Sequence, residues 1–132
     1  MNKIIITIAI FTLFSINLFA QSYGDSTLAS VRTKDASSRD GQGKIIMLPA
    51  LEHSFRADVY SSNRVFPNAR EHWQKLISTY PTDTNIPKAL MGIGRSYMWE
   101  REYALAITFF DDAVKNHTFT KEGRESLAFK GA

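Results

Sequence analysis

The chain has 132 residues, with 16 Lys and Arg, 13 Asp and Glu, and no cysteine. The lack of cysteine excludes disulfides, thiolate metal sites and cysteine nucleophiles, so a folded domain must be stabilised by packing alone. The charge is nearly balanced and lacks the clustered basic face of nucleic-acid-binding proteins, so no nucleic-acid partner is expected. The length suits one small domain.

The first 20 residues have the pattern of a secretory signal peptide. Lys3 precedes an apolar run from Ile4 to Phe19, and Ala20 offers a small residue for cleavage. Polar residues interrupt this run, which disfavours a permanent membrane span of about 20 apolar residues. We therefore expect cleavage after Ala20 and export to the periplasm. We expect no lipid anchor, because the cleavage point has no cysteine.

Residues 21–45 are rich in Ser, Asp and Gly and contain few large apolar side chains. A segment of this composition buries little surface, so it is predicted to be a disordered linker. It ends in Gly-Gln-Gly-Lys, which invites comparison with a phosphate-binding loop. That motif needs glycine where Ser38 stands and Ser or Thr where Ile45 stands, so no phosphate site is predicted.

From residue 46 onward the apolar pattern is helical. Pro49 suits the first turn of a helix, and Leu51, Phe55 and Val59 recur every fourth residue on one face. Further helices are predicted over residues 69–80, 88–99, 102–115 and 121–132.

A shift of 37 residues superimposes these helices on one another. In this alignment small residues coincide with small ones, as Ala57 does with Gly94. Aromatic residues coincide with aromatic ones, as Tyr60 does with Tyr97. The repeat-signature residues are Ala57, Tyr60, Ala69, Trp73, Pro81, Leu90, Gly94, Tyr97, Ala106, Phe110, Ala113, Leu127 and Gly131. Small residues let partner helices approach closely while rings fill the surrounding volume, so the pattern predicts helical hairpins stacked side by side.

These residues resemble the signature of tetratricopeptide repeats, a helix pair with small, aromatic and apolar residues in this order. The resemblance covers residues 49–132. It divides them into units 50–83 and 87–120 and an incomplete unit 124–132. The period is 37 instead of about 34, Thr118 stands where the family has proline, and His53 and Arg56 replace apolar residues. It implies an all-α fold of antiparallel helix-hairpin repeats, a fragment of an α-solenoid.

No catalytic or metal site is predicted. The stretch Gly-Ile-Gly-Arg-Ser-Tyr lacks the last glycine of the dinucleotide fingerprint, because Tyr97 stands there. His53, His72 and His117 lie on separate predicted elements without ligand spacing. The glutamates include no pair in a setting that would raise one pKa for acid catalysis. We expect no cofactor and no enzyme activity in this chain; the question stays open for a longer parent protein.

The resemblance implies a binding surface on the concave face, which the first helix of each repeat forms. The matching positions in the second unit are Lys88, Met91, Arg95, Met98 and Trp99. Cations beside methionines and a tryptophan suit a peptide, a carboxylate or a glycan face. In the alternative interpretation, the two methionines and the tryptophan pack against a neighbouring repeat.

Repeats of this type are similar to those of bacterial envelope proteins. Examples are the superhelical arms of soluble lytic murein transglycosylases, the outer-membrane assembly lipoprotein and the Tol-Pal coordinator. We expect an exported module for protein–protein interaction in the cell envelope. Its expected partner is a protein or a peptide, and peptidoglycan-associated partners are among the candidates.

Two alternatives stay open. One is the arm of a lytic transglycosylase, acting in peptidoglycan turnover, whose catalytic domain lies outside this chain. The other is an outer-membrane protein assembly factor. The incomplete third unit indicates a piece of a longer array or a truncated reading frame, because stacked repeats usually number at least three.

Overall fold

The computed structural model describes residues 27–131, so the predicted signal peptide, its cleavage after Ala20 and the start of the predicted linker lie outside the described residues. Helix α1 covers residues 27–37 of this range. It is followed by α2 (Ala50–Ser62), α3 (Phe66–Thr79), α4 (Ile86–Trp99), α5 (Tyr103–Asn116) and α6 (Lys121–Lys130). The predicted all-α fold class is confirmed for residues 27–131. These residues belong to two compact units, one that ends at Ser37 and one that begins at Ser38.

The range predicted as a linker, 21–45, differs from that prediction where the structure describes it. Residues 27–37 are helical, and Val31 is buried. The hydroxyl groups of Thr33 and Ser37 donate hydrogen bonds to backbone carbonyls within this helix. The polar residues lie largely on the exposed side, which is why composition alone indicated disorder.

The residues after Ser38 form a tight loop. Asp40 Oδ1 accepts the backbone N–H groups of Gln42 and Lys44, both at 2.9 Å. These two bonds hold the pKa of Asp40 below its usual value. The carboxylate already satisfies backbone donors that a phosphate would need, which agrees with the rejected phosphate-loop interpretation.

Helices α2 and α3 pack together as a first hairpin, and α4 and α5 pack together as a second hairpin. Helix α3 packs on α4 and α5 packs on α6, so the helices stack in chain order. Within residues 27–131, no helix is both long enough and apolar enough to cross a membrane.

The 37-residue period recurs in the backbone of both hairpins. Arg64 and Arg101, 37 positions apart, have left-handed φ angles of 59° and 64°. Two equivalent backbone hydrogen bonds close each turn. In the first turn, Arg64 N donates to Ser61 O and Val65 N donates to Tyr60 O. In the second turn, Arg101 N donates to Met98 O and Glu102 N donates to Tyr97 O. Both turns are therefore Schellman motifs that end the first helix of a hairpin.

Helix α2 is rotated from the orientation that its apolar spacing suggests. Leu51 and Phe55 are 75% and 45% exposed, and Val59 is half-buried. The buried residues of this helix are His53, Ser54, Arg56, Ala57 and Tyr60. The face turned inward carries the repeat-signature residues Ala57 and Tyr60 together with polar groups that have hydrogen-bond partners.

Two of the buried polar residues explain this rotation. Nδ1 of His53 lies 3.0 Å from Nδ1 of His72 in α3, and both rings are fully buried. The backbone N–H of Leu48 donates to Nε2 of His53 at 3.2 Å. His53 therefore carries its proton on Nδ1 and donates it to His72. As expected, the three histidines lie on separate elements, but His53 and His72 meet across the first hairpin and are fully buried.

The core of the second hairpin is apolar. A Cβ atom at Gly94 would lie 2.6 Å from the ring of Phe110, so the glycine gives the ring its space, as the repeat pattern predicts. Phe110 also stacks on Phe129 of α6, with ring centroids 5.2 Å apart. Leu90, Ala106 and Ala113 are buried around this contact.

The third unit departs from the pattern of the first two. Helix α6 packs through Gly123 and Ser126, which are buried. Leu127 is 59% exposed, unlike its buried counterpart Leu90. Gly131 is also exposed, and a Cβ atom there would meet no atom closer than 3.8 Å. These two signature positions therefore lack the close packing of their counterparts Leu90 and Gly94 in the second unit.

Candidate functional site

Four of the five predicted binding residues line one groove. Lys88, Met91, Arg95 and Trp99 lie on the same side of α4 and face α2 across a cavity of about 520 Å³. Their spacing of three and four residues places them on one helical face. Met98 falls beside this face, is half-buried and does not line the groove.

The floor of the groove comes from α3. Phe66 and Trp73 line it together with the backbone at Gly92. A Cβ atom at Gly92 would lie 2.6 Å from the Trp73 ring, so the glycine lets the indole pack directly on α4. Sequence reasoning identified Trp73 only as a repeat-signature residue. The first glycine of Gly-Ile-Gly, Gly92, was the signal for this further close approach.

The indole N–H of Trp73 is an unusual donor. The Nε1 atom is buried and has no hydrogen-bond acceptor among residues 27–131. A buried donor without an acceptor costs about 1–3 kcal/mol, and such groups are rare in folded proteins. The ring edge next to this atom is the edge that packs on Gly92, a groove residue. An unsatisfied donor therefore lies beneath the groove, beside the contact between Trp73 and Gly92.

The groove carries a net positive charge. Its charged lining residues are Asp58, Arg64, Lys88 and Arg95. Lys88 donates to Asp58 Oδ2 at 2.5 Å, so these two charges compensate each other. Neither Arg64 nor Arg95 makes an ion pair within residues 27–131. Two uncompensated cations therefore remain.

Aromatic rings position both of these arginines. The Arg64 guanidinium lies 4.8 Å from the centroid of Trp99, which is 57% exposed. Arg95 lies 5.8 Å from the centroid of Phe129. A guanidinium over a ring gains about 0.5–1 kcal/mol at an exposed site. The rings position the two guanidinium groups. The N–H donors of each guanidinium point outward in its plane, so they stay available to a ligand.

Arg64 was not among the predicted binding residues. It lies in the loop between α2 and α3, and its backbone adopts the left-handed conformation at which glycine is preferred. The signal that could have found it is its register, because Arg64 and Arg101 occupy the same position of successive repeats.

A neighbouring arginine fixes the groove's shape. Arg70 of α3 donates to Ser96 Oγ at 3.0 Å and pairs with Glu100 at 2.8 Å. It also lies 4.2 Å from the centroid of Tyr97. These contacts tie the first hairpin to α4, so the two walls of the groove are held together before any ligand arrives.

The other charged cluster offers no acid catalyst. Arg39 donates two hydrogen bonds to the Glu71 carboxylate, at 2.9 and 3.0 Å. This pairing holds the pKa of Glu71 below its usual value. A general acid near neutral pH needs a raised pKa instead. Within residues 27–131, no group of three or more histidine and carboxylate side chains is placed to hold a metal ion.

Compared with models of protein families, with curated proteins and with solved structures, the chain gives no match.

Proposed function

We propose that this chain is an exported, tetratricopeptide-repeat-like interaction module of the bacterial envelope, and that the groove between α2 and α4 binds a segment of a partner protein. The observation that carries the proposal is the groove itself, in which two uncompensated arginines flank an exposed tryptophan. Arginine and tryptophan are the residue types that contribute most to binding energy at protein interfaces.

The remaining lining supports a binding role. Phe66 and Met91 add apolar surface between the charged positions. Methionine adapts its shape to different partners, and aromatic side chains bury large areas on contact. Because Arg70 and Gly92 already fix the walls and the floor, a partner segment would meet a largely preformed surface, which lowers the ordering cost of binding.

Two features support the family and location within this proposal. The repeated turn at Arg64 and Arg101 agrees with a series of equivalent helix pairs. The signal-peptide pattern of residues 1–20 supports delivery to the far side of the cytoplasmic membrane.

The interaction is tested by site-specific crosslinking in bacterial cells that carry the gene. A photoreactive amino acid replaces Met91 in the groove, or Lys115, an exposed residue of α5, as the control. We expect a covalent adduct with a partner protein from position 91 only, and its loss when Arg95→Glu is added. Equal adducts from both positions, or none from position 91, would refute the groove as the interaction site.

The location is tested separately. We expect the chain in the periplasmic fraction with a new amino terminus at Gln21, as determined by terminal sequencing. An uncleaved chain in the cytoplasm would refute the envelope assignment, and the crosslinking result would still decide the role of the groove.

A further inference from the structure

We propose that the groove selects an acidic partner segment, whose carboxylates pair with Arg64 and Arg95. This inference rests on the proposed function and specifies the chemistry of the partner.

The charge of the groove is the first argument. Lys88 is already neutralised by Asp58, whereas Arg64 and Arg95 have no carboxylate partner within residues 27–131. A cleft lined by one sign of charge concentrates oppositely charged ligands and accelerates their arrival. A guanidinium binds a carboxylate through two parallel N–H bonds, which adds geometric selectivity to the attraction.

The placement of Arg64 is the second argument. Its left-handed backbone would be easier for glycine, yet at this position the side chain lines the groove and lies over Trp99. Arg95 precedes Trp99 by one helical turn and lies on the same face of α4. A segment that covers Trp99 would therefore meet a guanidinium from the α2–α3 loop and another from α4.

The experiment compares three fluorescently labelled peptides of equal length. They share their phenylalanine and leucine positions and carry Glu, Gln or Lys at the others. Binding to the mature protein is measured by fluorescence anisotropy. We expect the Glu peptide to bind at least about tenfold more tightly than the Gln peptide, the effect of one good charged hydrogen bond. We expect the Lys peptide to bind weakest, and the preference for Glu to shrink as salt is added.

Arg95→Gln is the decisive variant, and Lys115→Gln removes the same charge from exposed α5 as the control. We expect Arg95→Gln to lower the affinity for the Glu peptide about tenfold and to lower that for the Gln peptide much less. Lys115→Gln should change neither. The circular dichroism spectrum confirms that both variants are folded.

Three outcomes would overturn the inference. Equal affinity for the Glu and Gln peptides would exclude charge selection, and the crosslink from position 91 would still support a binding groove. Tighter binding of oligogalacturonate, an anionic sugar chain, would assign the groove to a glycan instead of a peptide. No binding of any peptide together with no crosslink would refute both this inference and the proposed function.

Discussion

The two hairpins have the same backbone turn but differ in the chemistry of their interiors. In the first, the contact between helices is polar, because His53 bonds to His72 and Tyr60 stacks on His72 with ring centroids 5.9 Å apart. In the second, the contact is apolar and centres on Gly94 and Phe110. Yet both first helices end in the same left-handed turn. The comparison teaches that the repeat geometry depends on its turns and close approaches more than on the chemistry of its core.

The largest expected effect is at the glycine notch of the second hairpin. Gly94→Leu places a branched side chain where the Phe110 ring already lies, within 2.6 Å of a Cβ atom. We expect a loss of about 3 kcal/mol or more of unfolding free energy, at the upper end for overpacked cores. The measurement is urea denaturation followed by circular dichroism.

Gly131→Leu is the matched control, since Gly131 occupies the same repeat position and has open space around it. Its effect should stay within about 0.5 kcal/mol, as for most surface substitutions. Equal effects of the two substitutions would mean that Gly94 does not form a close contact.

The next largest effect is at the polar core of the first hairpin. His72→Phe removes the acceptor for the Nδ1–H of His53 and leaves a buried donor unsatisfied. We expect a loss of about 2–3 kcal/mol, the cost of an orphaned buried polar group. Unfolding free energy from urea titration is the measurement.

The double variant with His53→Phe and His72→Phe separates the hydrogen bond from packing. If the bond matters, the double variant should lose less than the sum of the two single variants, because neither ring nitrogen of the pair is then left facing an apolar partner. Additive losses would contradict a coupled pair.

This polar pair also marks a limit of sequence reasoning. The apolar spacing of Leu51 and Phe55 predicted a helix at the observed place, but it does not mark the buried face, since a histidine bonded across the hairpin is as much a core residue as leucine. In α4 the resemblance to tetratricopeptide repeats implied a shared face for Lys88, Met91 and Arg95, and their helical spacing agrees with the groove that they line.

Other parts of the groove could not be predicted in this way. Arg64 and Phe66 come from a different helix and its loop, so only the tertiary packing brings them to α4. The orphan N–H of Trp73 depends on which edge of the ring meets Gly92, a detail of side-chain geometry. The helix at residues 27–37 was missed because its composition is that of a linker.

A smaller effect distinguishes the two left-handed turns. Arg101→Gly removes an unfavourable backbone conformation, which costs a side-chain-bearing residue about 1–2 kcal/mol, against an entropy cost of about 1 kcal/mol for glycine. We expect a gain of up to about 1 kcal/mol in unfolding free energy. Arg64→Gly should gain less, because it also loses the contact with Trp99. Thermal melts of both variants test this order, and a larger gain for Arg64→Gly would contradict the ring contact.

The smallest expected effect is on the pH dependence of stability. Because pairing with Arg39 lowers the pKa of Glu71 in the folded chain from 4.5, the pair stabilises the fold above the unfolded pKa, and this contribution is lost as pH falls through the folded pKa. The side chains are partly exposed, so the contribution is below about 1 kcal/mol. Glu71→Gln should lower stability at pH 7 and remove that part of the acid dependence. An unchanged pH profile would show that the ion pair contributes nothing.

The most direct test of the groove compares binding of the Glu peptide to Arg64→Gly and Arg101→Gly. Both variants remove one arginine from the same turn of successive repeats, and both should stay at least nearly as stable as the parent chain. The account predicts that Arg64→Gly loses about tenfold in affinity while Arg101→Gly binds like the parent. Equal affinities in the two variants would contradict an acidic-segment site between α2 and α4.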